Sequence, residues 1–181
     1  MPPKKLMKKI CLLGDGAVGK TSLIRKFVFD SFDDKYIMTF GTKVSKKDVT
    51  MFRNSQEFNM TFLIWDILGQ RVHNNVHSAY YQGASGAFIV CDTTRLETLE
   101  HLEEWIRVFR DVNCEAPVVL LGNKSDLKEE MKFGDTELGE LANRYNMKYH
   151  LTSAKTGAFV EDSFIELGNE VIDKHLKKGG T

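Results

Sequence analysis

The stretch "GDGAVGKT", from Gly14 to Thr21, decides how this sequence is interpreted. It follows the apolar run "ICLL" and precedes "SLIRKF", whose apolar residues have helical spacing. Three glycines in eight residues disfavour a regular helix or strand, but they let the backbone wrap so that successive N–H groups point at an anion. The pattern G-x-x-x-x-G-K-[ST] between a strand and a helix therefore predicts a loop that holds phosphate groups.

The loop combines several kinds of contact. The helix that begins near Lys20 adds its positive end, the Lys20 ammonium adds a charge, and the Thr21 hydroxyl is placed to bind Mg²⁺. The pattern predicts a nucleoside triphosphate without saying which one, and a glycine-rich turn without a ligand is the structural alternative. The predicted nucleotide-binding residues of this stretch are Gly14, Asp15, Gly16, Ala17, Val18, Gly19, Lys20, Thr21 and Ser22.

Strand-like and helix-like segments alternate along the chain. Short apolar segments bounded by glycine, aspartate or asparagine predict six strands. These are "KKICLLG", "VSKKDVTMF", "NMTFLIWD", "GAFIVCD", "APVVLLGNK" and "MKYHLTS". Helical spacing relates four groups of residues between or after them. The groups are Leu23 and Phe27; Leu99, Leu102, Ile106 and Phe109; Leu138, Leu141 and Tyr145; and Phe159, Phe164, Leu167 and Val171.

This alternation predicts an α/β fold with a mostly parallel six-stranded sheet and helices on both faces. The stretch "FRNSQEF" offers turn residues between the second and third strands and predicts a hairpin, which makes one edge strand antiparallel. We find no repeat or linker, so we expect residues 1–181 to form a single domain. Ligands of such folds bind beyond the carboxyl ends of the strands.

Composition narrows the class of protein. Lysine plus arginine and aspartate plus glutamate each total 25, so the overall charge gives no reason to expect nucleic-acid binding. Cys11, Cys91 and Cys114 have no metal-ligand spacing and predict reduced, buried thiols in a cytoplasmic protein. The end "HLKKGGT" has no cysteine for a lipid, so we expect no encoded lipid anchor, while lysines at both ends leave peripheral membrane contact as an alternative.

The motif "NKSD" follows the apolar run "VVLLG" and predicts the base. Asn123, Lys124 and Asp126 carry it. A carboxylate here can accept hydrogen bonds from N1–H and the 2-amino group of guanine, whereas adenine offers no donors in that arrangement. A site built to bond a polar edge strongly rejects analogues that lack it. The sequence therefore predicts GTP and GDP over adenine nucleotides, with "TSAK", Thr152 to Lys155, following the last strand.

The phosphate loop, Thr39, "WDILGQ" from Trp65 to Gln70, "NKSD" and "TSAK" stand in the order and spacing of the Ras-superfamily small GTPases, which the chain resembles. "WDxxGQ" with "SAYYQGASGAFIVCD" is most similar to the Rab branch, and the resemblance runs from about Lys8 to the final helix. It implies a P-loop NTPase G domain that binds GTP or GDP with Mg²⁺ and hydrolyses GTP. It also implies a monomer that acts as a switch with effectors, an exchange factor and a GTPase-activating protein.

The resemblance implies roles for residues near the base. Ala154 would offer its N–H to the guanine oxygen, Ser153 would shape the loop, and Lys155 would lie against the base. Lys124 would cover the other face of the base and tie to the phosphate loop. Phe32 would stack against guanine, with a core phenylalanine as the alternative, and Tyr36 completes the predicted nucleotide-binding residues on this side.

The resemblance also implies two switches. Thr39 would reach Mg²⁺ only with the γ-phosphate present, and Asp66 would hold a metal-bound water, so the predicted metal site is Thr21, Thr39 and Asp66. A surface threonine and a helix-capping aspartate are the alternatives. Gly69 would give its N–H to the γ-phosphate. Gln70 would orient the attacking water, and Lys20 would stabilise the developing charge.

The second switch departs from the family pattern. Ile67 and Leu68 replace small residues, and Arg71 begins an unusual "RVHNNVH". Hydrolysis could therefore be slow, and the alternative function is a GTP-binding scaffold with negligible turnover; a nucleotide kinase would need a lid and an acceptor site. We treat His73 and His77 as surface residues. Four apolar residues are expected either to contact effectors or to pack in the core: Phe40, Val44, Trp65 and Tyr80.

Overall fold

The structure is a computed structural model that describes residues 2–33, 35, 41–68 and 75–179, apart from the side chains of residues 75–77. Six strands form one sheet in the order β2-β3-β1-β4-β5-β6. Only β2 runs antiparallel to its neighbour, so the predicted mostly parallel sheet with one antiparallel edge strand is confirmed. The strands are β1 Lys4–Leu13, β2 Thr42–Arg53, β3 Gln56–Ile67, β4 Gly86–Asp92, β5 Val118–Asn123 and β6 Lys148–Leu151.

The hairpin between β2 and β3 closes on two residues. Asn54 and Ser55 have φ values of 51° and 61°, and Arg53 pairs directly with Gln56. Two successive residues with positive φ match the right-handed twist of the flanking strands, which is why two-residue hairpin loops favour this turn. The predicted hairpin is therefore confirmed.

Helices cover both faces of the sheet. The stretch from Leu99 to Phe109, which we predicted as one helix, belongs to two helices that meet at His101. The helices are α1 Lys20–Phe29, α2 Asn75–Tyr81, α3 Leu96–Glu100, α4 Leu102–Val112, α5 Asp135–Arg144 and α6 Val160–Gly179. Within the described residues, none of them is both long and apolar enough to cross a bilayer.

Alternation along the strands builds one apolar core on each face. Ile10 and Leu12 of β1 pack with α1 and α6, whereas Cys11 and Leu13 pack with α2, α4 and α5. Side chains alternate between the faces of a strand, so a continuous apolar run supplies both cores at once. This explains why β1, β4 and β5 each contain an unbroken apolar run.

Two predictions about burial are wrong. Cys114 is exposed, because it lies in the connection after α4 and not inside an apolar element, while Cys11 and Cys91 are buried as expected. Phe159 is 55% exposed, because it precedes the first residue of α6 at a φ of 53° and so does not share that helix's apolar face.

The parallel strands bring their carboxyl ends to one edge of the sheet. Leu12 of β1 pairs with Asp66 of β3, and Asp92 of β4 pairs with Asn123 of β5. The loops that follow these strands therefore begin side by side. The motifs "GDGAVGKT", "NKSD" and "TSAK" all leave from this edge, where the sequence predicts a ligand.

Candidate nucleotide-binding site

The phosphate loop has a backbone that only glycine allows at two positions. Gly14 has φ 139°, and an added Cβ would lie 2.2 Å from the Val90 carbonyl oxygen. Gly19 has φ 102°, and its Cβ would lie 2.2 Å from Asn123 Nδ2. Since neither site can accommodate a side chain, these glycines let the loop turn tightly against β4 and β5.

Lys20, the first residue of α1, points back into this loop. Its ammonium donates to the carbonyl oxygens of Gly14, at 2.7 Å, and Asp15, at 2.8 Å. Burial lowers the pKa of Lys20 to about 8, and the nearby Asp66 and Asp15 carboxylates oppose that effect. An incoming phosphate would supply the negative charge that a buried ammonium needs.

Thr21 and Asp66 form the metal side of the site. The Thr21 hydroxyl donates to Asp66 Oδ2 over 2.5 Å, and Asp66 is 3% exposed. Its other oxygen, Oδ1, is buried without a hydrogen-bond partner among the described residues, and burial raises the pKa of this carboxyl. An unpartnered buried carboxylate oxygen next to a hydroxyl oxygen fits Mg²⁺ and its bound water, which prefer oxygen ligands.

Asn123 joins three separate motifs through one side chain. Its Nδ2 donates to the Val18 carbonyl of the phosphate loop at 3.0 Å. Its Oδ1 accepts from the Ala154 N–H at 3.2 Å and from the Thr152 hydroxyl at 3.3 Å. Asn123 is 1% exposed, so this amide holds "NKSD", "TSAK" and the phosphate loop in fixed positions.

The remaining base-reading residues lie close by. Ser153 donates to Asp126 Oδ1 at 2.6 Å, which agrees with a role of Ser153 in shaping the loop. Lys124 has φ 67°, and its ammonium lies 2.6 Å from Asp92 Oδ2. The bond to the phosphate loop that we expected from Lys124 is thus made by Asn123. Lys155 is exposed beside them.

Several predicted apolar residues can be placed. Phe32 is 38% exposed, so the alternative of a core phenylalanine is wrong. Val44 is 47% exposed, whereas Trp65 and Tyr80 are half-buried against the core beneath α2 and α4. Trp65 and Tyr80 therefore pack against the core, whereas Val44 lies at the surface. Val44 is on the edge strand β2, and Trp65 is on β3, one strand further in.

Part of the predicted site lies outside the described residues. Tyr36, Thr39, Gly69 and Gln70 are in this group, so their roles stay predictions. The same holds for Phe40, Arg71 and His73, and for the side chain of His77. The structure brings together the phosphate loop, Thr21, Asp66 and the base-reading motifs.

Sequence reasoning missed a set of bonds to the Asp15 carboxylate. Trp105 Nε1 donates to Asp15 Oδ1 at 2.9 Å, and His101 Nδ1 lies 2.6 Å from Asp15 Oδ2. These partners are 86 and 90 residues away in sequence, and a tryptophan at helical spacing is ordinarily assigned to the core. No short motif signals such a contact.

A strand, a glycine-rich loop and a helix N-terminus, with a base-reading motif beside them at the carboxyl edge of a parallel sheet, define a P-loop nucleotide-binding domain. Comparison with known proteins identifies its family. The family model described as Ras family matches residues 9–173, and the chain belongs to this family. It is a Rab-like member of the Ras superfamily of small GTPases, a class of GTP-binding switch proteins.

Individual relatives align over most of their length. The Ras-related protein Rab-13 of Canis lupus familiaris is 33% identical over 174 residues, which cover 95% of this chain and 82% of the relative. The Ras-related protein RABA4b of Arabidopsis thaliana is 33% identical, covering 94% of this chain and 75% of the relative. The Ras-related protein Rab-8B of Homo sapiens is 32% identical, covering 94% and 81%.

Proposed function

We propose that this single domain binds GTP and GDP with Mg²⁺, hydrolyses GTP slowly, and changes its affinity for effectors with the state of the nucleotide. The observation that carries the proposal is the Asn123 side chain. It bonds both to Val18 in the phosphate loop and to Ala154 in the base-reading loop. A ligand that spans both loops must carry phosphates at one end and a base at the other.

Guanine is the base that Asp126 favours. Its carboxylate follows β5, and the Ser153 hydroxyl donates to one of its two oxygens, Oδ1, at 2.6 Å. A carboxylate accepts hydrogen bonds and donates none, so it matches the N1–H and 2-amino donors of guanine. The Ala154 N–H donates to Asn123 Oδ1 at 3.2 Å, and we propose that this N–H is shared with the guanine oxygen when the base binds.

Two measurements test the proposed guanine-nucleotide binding and the role of Asp126 in selecting the base. We expect protein purified without added nucleotide to release GDP or GTP on denaturation, as measured by liquid chromatography. Asp126→Asn should weaken GDP binding and improve binding of the xanthine nucleotide, because an amide can donate to the oxygen that xanthine carries in place of the 2-amino group. Asp162→Asn, an exposed position on α6, is the matched control and should leave both affinities unchanged. Equal preference for guanine and xanthine in both variants contradicts the proposal.

The residues on the metal side define the proposed chemistry. Thr21, Asp66 and the predicted Thr39 would hold Mg²⁺ and its water, and the bound ion would neutralise charge on the phosphates. Lys20 holds its positive charge against the phosphate loop, where it stabilises charge on the β- and γ-phosphates. We propose that Gly69 orients the γ-phosphate with its N–H and that Gln70 orients the attacking water.

A second candidate, a GTP-binding scaffold with negligible turnover, has one observation in its favour. Ile67 is 2% exposed and packs in the core beside α2, and half-buried Leu68 follows it. Bulky side chains directly before Gly69 restrict how the backbone there can approach a phosphate. Exchange, activating and effector proteins would engage either form through the surface around Val44 and Trp65.

A single-turnover assay separates the two candidates. For the enzyme, we expect labelled phosphate release from bound GTP that Gln70→Leu reduces by about 10²-fold or more, since loss of a water-positioning group removes transition-state stabilisation. Gln82→Leu, an exposed glutamine after α2, is the control and should keep the wild-type rate. Absence of release from wild type as well as Gln70→Leu would establish the scaffold instead.

A further inference from the structure

The phosphate loop is bonded by three side chains near α3 and α4: Arg95 precedes α3, His101 lies between the two helices, and Trp105 is in α4. Trp105 Nε1 and His101 Nδ1 reach the two oxygens of the Asp15 carboxylate at 2.9 Å and 2.6 Å. Arg95 Nη1 donates to the Gly16 carbonyl oxygen at 3.0 Å. Three side chains from one eleven-residue stretch, 95 to 105, therefore bond two consecutive residues of the loop.

The Asp15 carboxylate is buried and therefore depends on its hydrogen-bond donors. Asp15 is 8% exposed, and its own carbonyl oxygen accepts a hydrogen bond from Lys20 at 2.8 Å. A buried carboxylate that loses a donor keeps its desolvation penalty, so the surrounding backbone shifts or the charge remains uncompensated. The first result moves the loop, and the second leaves the negative charge of Asp15 less well stabilised next to the proposed phosphate site.

The charged groups around this cluster balance one another. Lys20 of α1 donates to the backbone carbonyl of Asp15, and His101 bonds the Asp15 carboxylate. Glu97 of α3 lies near His101 and also pairs with Arg95 Nε at 2.9 Å. Arg95 is thereby held between Glu97 and the Gly16 carbonyl. Gly16 is an exposed loop residue, so this bond anchors a segment that has little packing of its own.

We propose that His101, Trp105 and Arg95 are positioning residues for nucleotide phosphates: they fix the phosphate loop from outside through Asp15 and Gly16 without touching the nucleotide. The proposal rests on the proposed nucleotide binding at this loop. Its consequence is selective, because it concerns the phosphates and leaves the base site around Asp126 unaffected. The loop's affinity is then set partly by residues distant in sequence.

The test compares GDP with guanosine, which has the base but no phosphates. We expect His101→Leu to weaken GDP binding about tenfold, as loss of a bond to a charged group does, while guanosine binding stays unchanged. Trp105→Phe keeps the aromatic volume and removes the donor, and it should weaken GDP binding by a similar factor. Arg95→Gln should cost about threefold, because its bond lies at a half-exposed position. The affinities of GDP and guanosine are measured by competition titration against a fluorescent guanine nucleotide.

Two further variants distinguish positioning from general damage to the fold. His101→Asn keeps a hydrogen-bond donor and should restore GDP binding to within about threefold of wild type. Asp15→Asn removes the charge that needs compensation, so Asp15→Asn with His101→Leu should bind GDP better than His101→Leu alone. His175→Leu, an exposed histidine on α6, is the control and should behave as wild type.

The possible results distinguish a failure of the positioning role from a failure of the proposed nucleotide binding. Wild-type GDP binding at the variants His101→Leu and Trp105→Phe overturns the positioning role, as does an equal loss of GDP and guanosine or a failure of Asp15→Asn to suppress His101→Leu. A wild-type protein that binds neither GDP nor guanosine overturns the proposed function instead. Should His101→Leu fail to fold, Trp105→Phe and its combination with Asp15→Asn decide the question.

Discussion

Two buried carboxylates, Asp15 and Asp66, lie near Lys20, and they differ in their hydrogen bonds. Both oxygens of Asp15 have partners within the protein, His101 and Trp105. Asp66 bonds Thr21 through one oxygen, while its other oxygen is buried without a hydrogen-bond partner among the described residues. The two side chains are similarly buried, at 8% and 3% exposure, so solvent access does not explain the difference.

The difference indicates what each side of the site is for. A carboxylate whose two oxygens both have partners within the protein needs no ligand, and its bonds fix the loop that carries it. A carboxylate oxygen left without a partner in a buried place costs free energy unless a ligand or its water occupies that position. The Asp15 side therefore supports the phosphate loop, whereas the Asp66 side has a buried oxygen that fits the Mg²⁺ we propose.

The largest expected effect concerns Lys20, which lies near both carboxylates. Lys20→Met removes the only side-chain ammonium that bonds Gly14 and Asp15 in the described structure. We expect GDP affinity to fall by roughly 10²- to 10³-fold, because the buried ammonium that we propose to contact the phosphates is replaced by an apolar group. Equilibrium binding of labelled GDP measures this effect.

The control for Lys20→Met lies on the same helix. Lys26 pairs with the exposed Asp30 at 2.6 Å, and Lys26→Met should leave GDP affinity near the wild-type value, since exposed ion pairs contribute little. Equal losses in both variants would mean that the charge of α1 as a whole, and not the buried position of Lys20, determines binding.

The next effect sharpens the contrast between the carboxylates. Asp66→Asn should weaken magnesium affinity by about 10- to 100-fold, the usual range for a group that orients a metal's ligands. Asp15→Asn, an equally conservative change, should alter magnesium affinity less than about threefold because its carboxylate is already satisfied within the protein. Magnesium titration of the nucleotide release rate gives both values, and similar shifts in the two variants contradict the division of roles.

The smallest expected effect is a pH dependence of binding in magnesium-free buffer. Burial lowers the pKa of Lys20 to about 8 from its ordinary 10.5. Below pH 8 the ammonium is charged before and after GDP binds, so affinity is constant. Above pH 8 the free protein loses this proton and binding must recover it, so GDP affinity should fall by up to about tenfold per pH unit.

The same shift predicts the sign of a stability change in the nucleotide-free protein. Between pH 8 and 10.5 the unfolded chain holds the Lys20 proton and the folded chain has released it. The contribution of Lys20 to the free energy of unfolding therefore rises with pH across this window. Proton uptake by Lys20 on GDP binding is measured by calorimetric titration in buffers of different ionisation enthalpy. Absence of this uptake at pH 9 contradicts a lowered pKa of Lys20.

The sequence determined the fold and the main motifs because their signals are local. Apolar runs bounded by turn residues predicted the six strands, and "GDGAVGKT" predicted a loop in which Gly14 and Gly19 have backbones that other residues cannot adopt. The helix over Leu99–Phe109 was predicted as one unit, since its apolar spacing runs across His101. Exposure of Cys114 and Phe159 was not predicted, because both lie just outside the elements whose periodicity suggested burial.

Which polar side chains have hydrogen-bond partners is seen only in the folded molecule. Asp15 in "GDGAVGKT" and Asp66 in "WDILGQ" belong to different motifs, but neither motif says which oxygens of these carboxylates are bonded within the protein. Their partners come from 45 to 90 positions away, brought close because parallel strands end at one edge of the sheet. Hydrogen bonds form over about 3 Å in space, whatever the separation of the two residues along the chain. A carboxylate with partners and one without can therefore be distinguished only in the folded protein.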